Sequence, residues 1–168
     1  FVKMILARLY LNAEVYVGED RYADCAAICE DLVATYSLAE NFADLFAADN
    51  HLFTANSTFG AGNEIIFAVP HDGINTTSYG GTNFLIFAGT GGDMNAAAAG
   101  ISSGWGGLSV TKQVSERYAE GDVRAMFFTD YGTEIVDIFT FTSGGYKAQK
   151  FTNINHDGTA ASAQGHVD

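Results

Sequence analysis

The chain has 168 residues, enough for one domain, or a piece of one, with its own apolar core. Hydrophobic residues make up 48% of the sequence and charged residues 17%, a composition that excludes disorder over most of the chain. Eight basic and 20 acidic residues give a net charge of −12, which disfavours binding to nucleic acid or to an anionic membrane surface. No apolar run approaches the roughly 18 residues of a membrane-spanning helix.

Two helices are predicted at the start of the chain. Over residues 2–17 apolar side chains recur every three or four positions, and Gly18 supplies a stop signal. A second stripe of the same spacing covers residues 22–36, with the acids Glu30 and Asp31 on its outer side. Two antiparallel helices joined by a short glycine-containing turn form an αα-hairpin.

This hairpin is predicted to be of the tetratricopeptide type, because its alanines allow the two helices to approach closely. One such repeat cannot bury both of its apolar sides. The first helix also begins without an N-cap residue. We therefore expect the chain to be an internal fragment of a longer protein.

The middle of the chain has a different character. Residues 51–110 hold three acidic and no basic residues, and 12 of the 19 glycines lie between Gly60 and Gly107. Because aromatic residues are scattered through it, this stretch is predicted to be an ordered, loop-rich insertion and not a flexible linker. One or two helical turns are expected near Phe42, before this stretch, and a polar loop is expected over residues 49–63, at its start. After that loop, residues 64–69 have the length of a short buried strand that ends at Pro70.

The last third is predicted to hold one short amphipathic helix, over residues 111–118, and several strands. Residues 125–129, 135–141 and 148–151 have strand character, and a Ser-Gly-Gly turn joins the last two of these into a β-hairpin. A polar tail, expected to be loop, follows over residues 159–167. The predicted fold class is thus mainly α: a helical hairpin, a long loop-rich insertion with short strands, and a β-hairpin.

Neither a cofactor nor a metal site is predicted. The Gly-Thr-Gly-Gly run at 89–92 lacks the strand, loop and helix context of a dinucleotide site. Residues 153–158 resemble the start of a calcium loop, but Gln164 stands where a bidentate glutamate is needed, so we expect a polar turn. Cys25 and Cys29 share one helix face and are interpreted as packed thiols, because the four histidines lie far away in sequence.

No residue of the chain is predicted to be catalytic. The central loops offer only Glu64, Asp72 and Asp93 as carboxyl groups, and Glu64 is expected to cap or pair locally. No nucleophile elbow and no His-Glu-x-x-His motif is present. A hydrolase would need a carboxyl pair that only folding could bring together.

The neutral loops instead present two glycine-flanked rings, Tyr79 and Trp105. A ring held close to the backbone is suited to stacking on the apolar face of a sugar, and nearby Asn, Ser and Thr side chains offer groups for its hydroxyls. Asn83 is one such neighbour. The alternative is that both rings only pack the loops.

Several segments, in this order and approximate spacing, resemble the SusD/RagB family. They are the Ala-Arg-Leu-Tyr-Leu-Asn-Ala-Glu-Val-Tyr run at 7–16, Asn50, Asn-Glu-Ile-Ile-Phe at 63–67, Tyr-Gly-Gly-Thr at 79–82, Gly-Trp-Gly-Gly at 104–107 and Lys-Phe at 150–151. The resemblance implies one partial, mainly helical SusD-like domain over residues 1–168. Within it we distinguish a helical hairpin region (1–48), a Gly/aromatic loop region (49–110) and a short helix and β-hairpin region (111–168).

Members of this family are outer-membrane surface lipoproteins that bind glycans and cap a SusC-like TonB-dependent transporter. The resemblance thus implies a non-catalytic glycan-binding role, with Trp105 and Tyr79 in the aromatic arc and Asn83 as a hydrogen-bonding neighbour. Membrane association would come from a lipid anchor outside these residues. The alternative is a protein-interaction scaffold for the transporter with a non-glycan nutrient as ligand.

Overall fold

The computed structural model describes residues 1–53, 64–76, 78–91, 94–128, 135, 139 and 144–161. Most of its regular elements are helices, which confirms the predicted mainly α fold class. The α-helices are α1 (Val2–Leu11), α2 (Ala13–Val17), α3 (Tyr22–Thr35), α4 (Gly81–Gly89) and α5 (Lys112–Ser115). The strands are β1 (Phe127–Phe128) and β2 (Lys147–Ala148). Two compact units form, Phe1–Glu40 with His51–Val69, and Asn41–Asn50 with Pro70–Asp168. No helix within the described ranges is both long and apolar enough to cross a membrane.

The first unit contains the predicted helical hairpin, in which α1 packs against α3. The sequence predicts one helix over residues 2–17, but the structure divides it at Asn12. The Asn12 side-chain amide donates to the Arg8 carbonyl oxygen at 2.8 Å, and such local bonds compete with continuation of a helix. Gly18, at φ 75°, ends α2 as predicted. Lys3 and Asp31 form an ion pair between the two packed helices.

The apolar stripes of this hairpin remain largely exposed. Among its described residues only Ala7, Ala13 and Leu32 are buried hydrophobic residues, whereas Val33 is 77% exposed. Two helices can cover only one side of each other, as expected of a single hairpin. For the same reason the prediction of two packed thiols was wrong for Cys29, which is exposed; Cys25 is half-buried.

The predicted buried strand at residues 64–69 was also wrong. Ile65 takes part only in an isolated bridge, no strand is formed there, and Phe67 and Val69 are exposed. An apolar run of this length becomes a buried strand only where partner strands cover it along its length. Glu64 was expected to cap or pair locally, but its carboxylate accepts the N–H of Ala39, 25 residues away in sequence, at 2.8 Å.

The second unit has a small apolar core built around α4. Its buried members are Ile86, Phe87, Ala99 and Ile101, and Phe151 packs against them. Sequence analysis missed α4, because residues 84–88 are uninterruptedly apolar and show no helical period. The 3₁₀ turn at Phe42–Phe46 confirms the helical turns expected there, and a further one at Asn50–Phe53 lies in a stretch that was predicted as loop.

Two predictions for the last third are confirmed in shorter form. The helix α5 lies within predicted residues 111–118, and β1 lies within 125–129. β2 pairs antiparallel with β1, Phe127 opposite Ala148 and Phe128 opposite Lys147. The strand predicted at 148–151 was mostly wrong, because β2 includes only Ala148 of it. The strand predicted at 135–141, which would complete the predicted β-hairpin, falls mostly outside the described residues, as does the tail after residue 161.

Residues 153–158 form the predicted polar turn. The Gly158 N–H donates to the Asn155 carbonyl oxygen at 2.9 Å, and an isolated bridge joins Ile154 to Ala160. Asp49 anchors this turn, because its carboxylate accepts the backbone N–H of His156 at 2.9 Å and pairs with the His156 ring. That pairing raises the pKa of His156 above its usual value.

Candidate functional site

The end of α4 holds the segment that carries Trp105, which we call the Trp105 loop (residues 102–109). The last carbonyl groups of a helix have no partner within the helix. Here the Phe87 oxygen accepts the Trp105 N–H at 2.7 Å, and the Ala88 oxygen accepts the Leu108 N–H at 2.9 Å. Just beyond the helix, the Thr90 oxygen accepts the Gly106 N–H at 3.0 Å. The loop therefore lies directly on the helix end.

Glycines make this close contact possible. A Cβ at Gly104 would overlap the Thr90 carbonyl group, and one at Gly91 would overlap the Gly106 backbone. Gly106 also has φ 70°, a conformation that residues with a side chain rarely adopt. The Gly-Thr-Gly run follows a helix instead of preceding one, so its place in the fold is unlike that of a phosphate-binding loop.

Trp105 stands at the centre of a group of rings. One side of its indole stacks on Phe87, with ring centroids 5.1 Å apart and an interplanar angle of 28°. The Tyr79 ring lies 6.0 Å away at 55°, and Phe84 lies 6.5 Å away at 55°. Thus the structure brings together the two rings that the sequence singled out, and adds two that it missed, Phe84 and Phe87.

Three of these rings form an exposed surface, the aromatic platform (Tyr79, Phe84 and Trp105). Trp105 is 48% exposed, Tyr79 71% and Phe84 45%. Tilted, half-exposed rings on a packed base offer a flat ligand apolar contact without a large rearrangement. The sequence of the apolar run at 84–88 does not indicate that Phe84 is exposed. Its exposure follows from its position on α4 in the structure.

Asn83 lies apart from this exposed surface. It is only 2% exposed, and among the described residues neither its side-chain oxygen nor its nitrogen has a hydrogen-bond partner. A buried, unpartnered amide is costly, and such groups are uncommon in folded proteins. In this structure Asn83 presents almost no surface to a ligand in solution, and Tyr79 and Trp105 are the exposed candidates.

The start of α4, which follows Tyr79, is held by a second loop. Gly81, at φ 59°, leaves room for the His71 ring, which a side chain at that position would displace. The next residue after His71, Asp72, accepts the backbone N–H groups of Ile74, Asn75 and Thr76 at 3.0, 2.6 and 3.0 Å. The Asn75 side-chain amide also donates to this carboxylate, at 2.5 Å, and this bond together with the backbone bonds holds the pKa of Asp72 well below its usual range. The carboxylate therefore organises the loop.

The described carboxyl groups of the central loops do not form a catalytic arrangement. Glu64 is bonded to Ala39 N–H and Asp72 to its own loop, while Asp93 lies outside the described residues. The described residues contain no cluster of three His, Cys, Asp or Glu side chains that could hold a metal ion. Burial and the neighbouring Cys29 raise the pKa of the Cys25 thiol, which disfavours its reactive thiolate form.

Comparison with known proteins gives one informative relative. No protein-family model matches the chain. Over 84 residues the chain is 37% identical to the starch-binding protein SusD of Bacteroides thetaiotaomicron, a match that covers 49% of this chain and 14% of that protein. The chain thus matches a small part of its relative's length. Over the matched residues this chain is similar to that protein.

Proposed function

We propose that this chain provides part of a non-catalytic glycan-binding surface, and that the aromatic platform is its contact surface. The observation that carries the proposal is the half-exposed Trp105, stacked on Phe87 and flanked by the exposed Tyr79. The similarity to a protein named for starch binding supports it. The engaged state of Glu64 and Asp72 supports binding without hydrolysis.

The platform suits a sugar for physical reasons. Covering one aromatic ring contributes about 1.5–3 kcal/mol, so each ring accounts for about a ten- to hundredfold change in affinity. The hydroxyl groups of Ser102 and Ser103 lie on exposed residues of the Trp105 loop and can bond to sugar hydroxyls. The net charge of −12 disfavours anionic polysaccharides and favours neutral ones.

In the full-length protein, the proposal places this surface outside the outer membrane, attached through a lipid anchor. Captured glycan would pass to a SusC-like TonB-dependent transporter. Such a transfer requires release, for which moderate affinity is sufficient. These steps come from the family resemblance, and the starch-binding relative supports the glycan part.

A titration of a glycan panel, headed by soluble starch, tests the proposal on the full-length protein. Tyr79→Ala is the sharpest variant, because this ring is 71% exposed and its loss disturbs the fold least. Trp105→Ala is the second, and Tyr16→Ala, an exposed ring in the other unit, is the matched control. We expect the two platform variants to weaken binding at least tenfold and the control to leave it unchanged. Unchanged binding in both folded platform variants would refute the proposal.

A scaffold for the transporter, with a non-glycan nutrient as ligand, is the second candidate. The exposed apolar stripes of the hairpin favour it, since such surfaces serve in protein contacts. Glu30→Lys tests it by co-purification with the transporter. Asp31 is less suitable, because it already pairs with Lys3 and its reversal would disturb the hairpin itself. Loss of co-purification together with intact glycan binding would assign the hairpin to the transporter.

A further inference from the structure

Lys147 in β2 is a buried lysine beside the candidate site. Its residue is only 5% exposed. Lysine is among the residues least often buried, because removal of its charge from water is costly unless the charge is compensated. The position of Lys147 therefore calls for a physical reason.

Within the described part of the chain, the ammonium group of Lys147 bonds to the Trp105 loop. It donates to the Gly106 carbonyl oxygen at 2.7 Å, to the Ser109 hydroxyl at 2.7 Å and to the Leu108 carbonyl oxygen at 3.3 Å. An ammonium has three N–H donors, so its hydrogen-bonding capacity is used. Hydrogen bonds from a charged donor are about twice as strong as those between neutral groups.

No described carboxylate pairs with Lys147. Burial lowers the pKa of its ammonium. A lysine that serves in an ion pair would have an acidic partner, and a lysine that binds a charged ligand would reach solvent. Instead, the group is directed at backbone and hydroxyl oxygens of one loop.

The Trp105 loop is therefore held through its backbone N–H groups and through its backbone carbonyl groups. The N–H groups of Gly106 and Leu108 donate to carbonyl oxygens at and just beyond the end of α4. The carbonyl oxygens of the same two residues accept from Lys147. Trp105 immediately precedes this doubly bonded stretch. On the other side the stretch continues into Val110, which bridges to Tyr146, the residue before Lys147.

We propose that Lys147 is a positioning residue for Trp105: its ammonium fixes the Trp105 loop and so holds the indole in the aromatic platform. As a statement about glycan binding, this inference rests on the proposed function. As a statement about the indole, it does not. Removal of the ammonium leaves two carbonyl oxygens without their donor, and the loop and its ring become free to shift.

The test observes the indole directly, by fluorine NMR of the full-length protein labelled with 5-fluorotryptophan. The Trp105 resonance is assigned by its loss in Trp105→Phe. Lys147→Met keeps the length of the side chain and removes its donors. Lys150→Met is the matched control, since that lysine is exposed and its ammonium lies 4.4 Å from the Phe46 ring.

We expect the Trp105 resonance to move or broaden in Lys147→Met and to stay in place in Lys150→Met. If soluble starch binds the wild type, Lys147→Met should weaken that binding at least tenfold. If no glycan binds the wild type but the resonance still moves, the positioning role stands and only the proposed function fails.

An unchanged Trp105 resonance in folded Lys147→Met would overturn the inference. Should Lys147→Met fail to fold, Ser109→Ala decides, because it removes one acceptor and leaves the ammonium in place. A shift of the Trp105 resonance from its wild-type position in Ser109→Ala supports the positioning role. An unchanged resonance in that folded variant refutes it.

Discussion

Gly104→Ala is the substitution that most directly perturbs the packing of the Trp105 loop. The added methyl group would overlap the Thr90 carbonyl group, which is backbone and cannot rotate away. The loop must then withdraw from the end of α4. The bonds at risk are the 2.7 Å bond from Trp105 N–H to Phe87 O and the 3.0 Å bond from Gly106 N–H to Thr90 O.

Two lost hydrogen bonds that leave their partners unpaired cost about 1–3 kcal/mol each, so we expect a loss of about 2–6 kcal/mol in the free energy of unfolding. For a chain of this length that corresponds to a fall in Tm of about 2–4 °C per kcal/mol. Thermal unfolding followed by circular dichroism measures it. Gly80→Ala is the control, because its added methyl group would lie at an ordinary 3.5 Å from the Ser78 hydroxyl. Equal stability of Gly104→Ala and Gly80→Ala would refute the packing argument.

Three further predictions concern titration and reactivity. The bond to Asp49 raises the pKa of His156 above its usual value of 6.5, so protonated His156 stabilises the folded state. This stabilisation is complete below pH 6.5 and is lost as the pH rises through the folded-state pKa. Tm measured from about pH 6 to about pH 9 should fall more in the wild type than in His156→Gln, and equal slopes would contradict this. The lowered pKa of Asp72 stabilises the folded state at pH values above the usual pKa of 3.8, and this stabilisation is lost as the pH falls through the folded-state pKa. On acidification, the Tm of Asp72→Asn should therefore fall less steeply than that of the wild type. An unchanged dependence of Tm on acid pH would argue against this role. A thiol reagent should modify the exposed Cys29 before the half-buried Cys25, whose pKa is raised; the reverse order, read by mass spectrometry, would contradict the placement of α3.

The sequence predicts the helical hairpin well because its signal is local. Apolar residues at helical spacing and the stop at Gly18 are both contained within the helices themselves. The division at Asn12 depends on one side chain bonding to Arg8, which spacing alone cannot show. The apolar run at 64–69 fails as a strand for a different reason, since strand formation depends on partners elsewhere in the chain.

The candidate site is only partly predictable for the same kind of reason. Glycines beside Trp105 and Tyr79 indicate close backbone approach, and the structure identifies what is approached, the end of α4. The exposure of Phe84, the burial of Asn83 and the bonds of Lys147 all depend on contacts between residues far apart in sequence. Composition and spacing carry no information about such contacts.

The central claim is that a glycan lies on the aromatic platform, and a titration that observes Trp105 tests it most directly. The full-length protein labelled with 5-fluorotryptophan would be titrated with soluble starch, followed by the other glycans of the panel, while the Trp105 resonance is recorded. The account predicts a saturable shift of that resonance, which Tyr79→Ala weakens at least tenfold and Tyr16→Ala leaves unchanged. A glycan that binds without moving the Trp105 resonance, or a panel in which none binds, would contradict it.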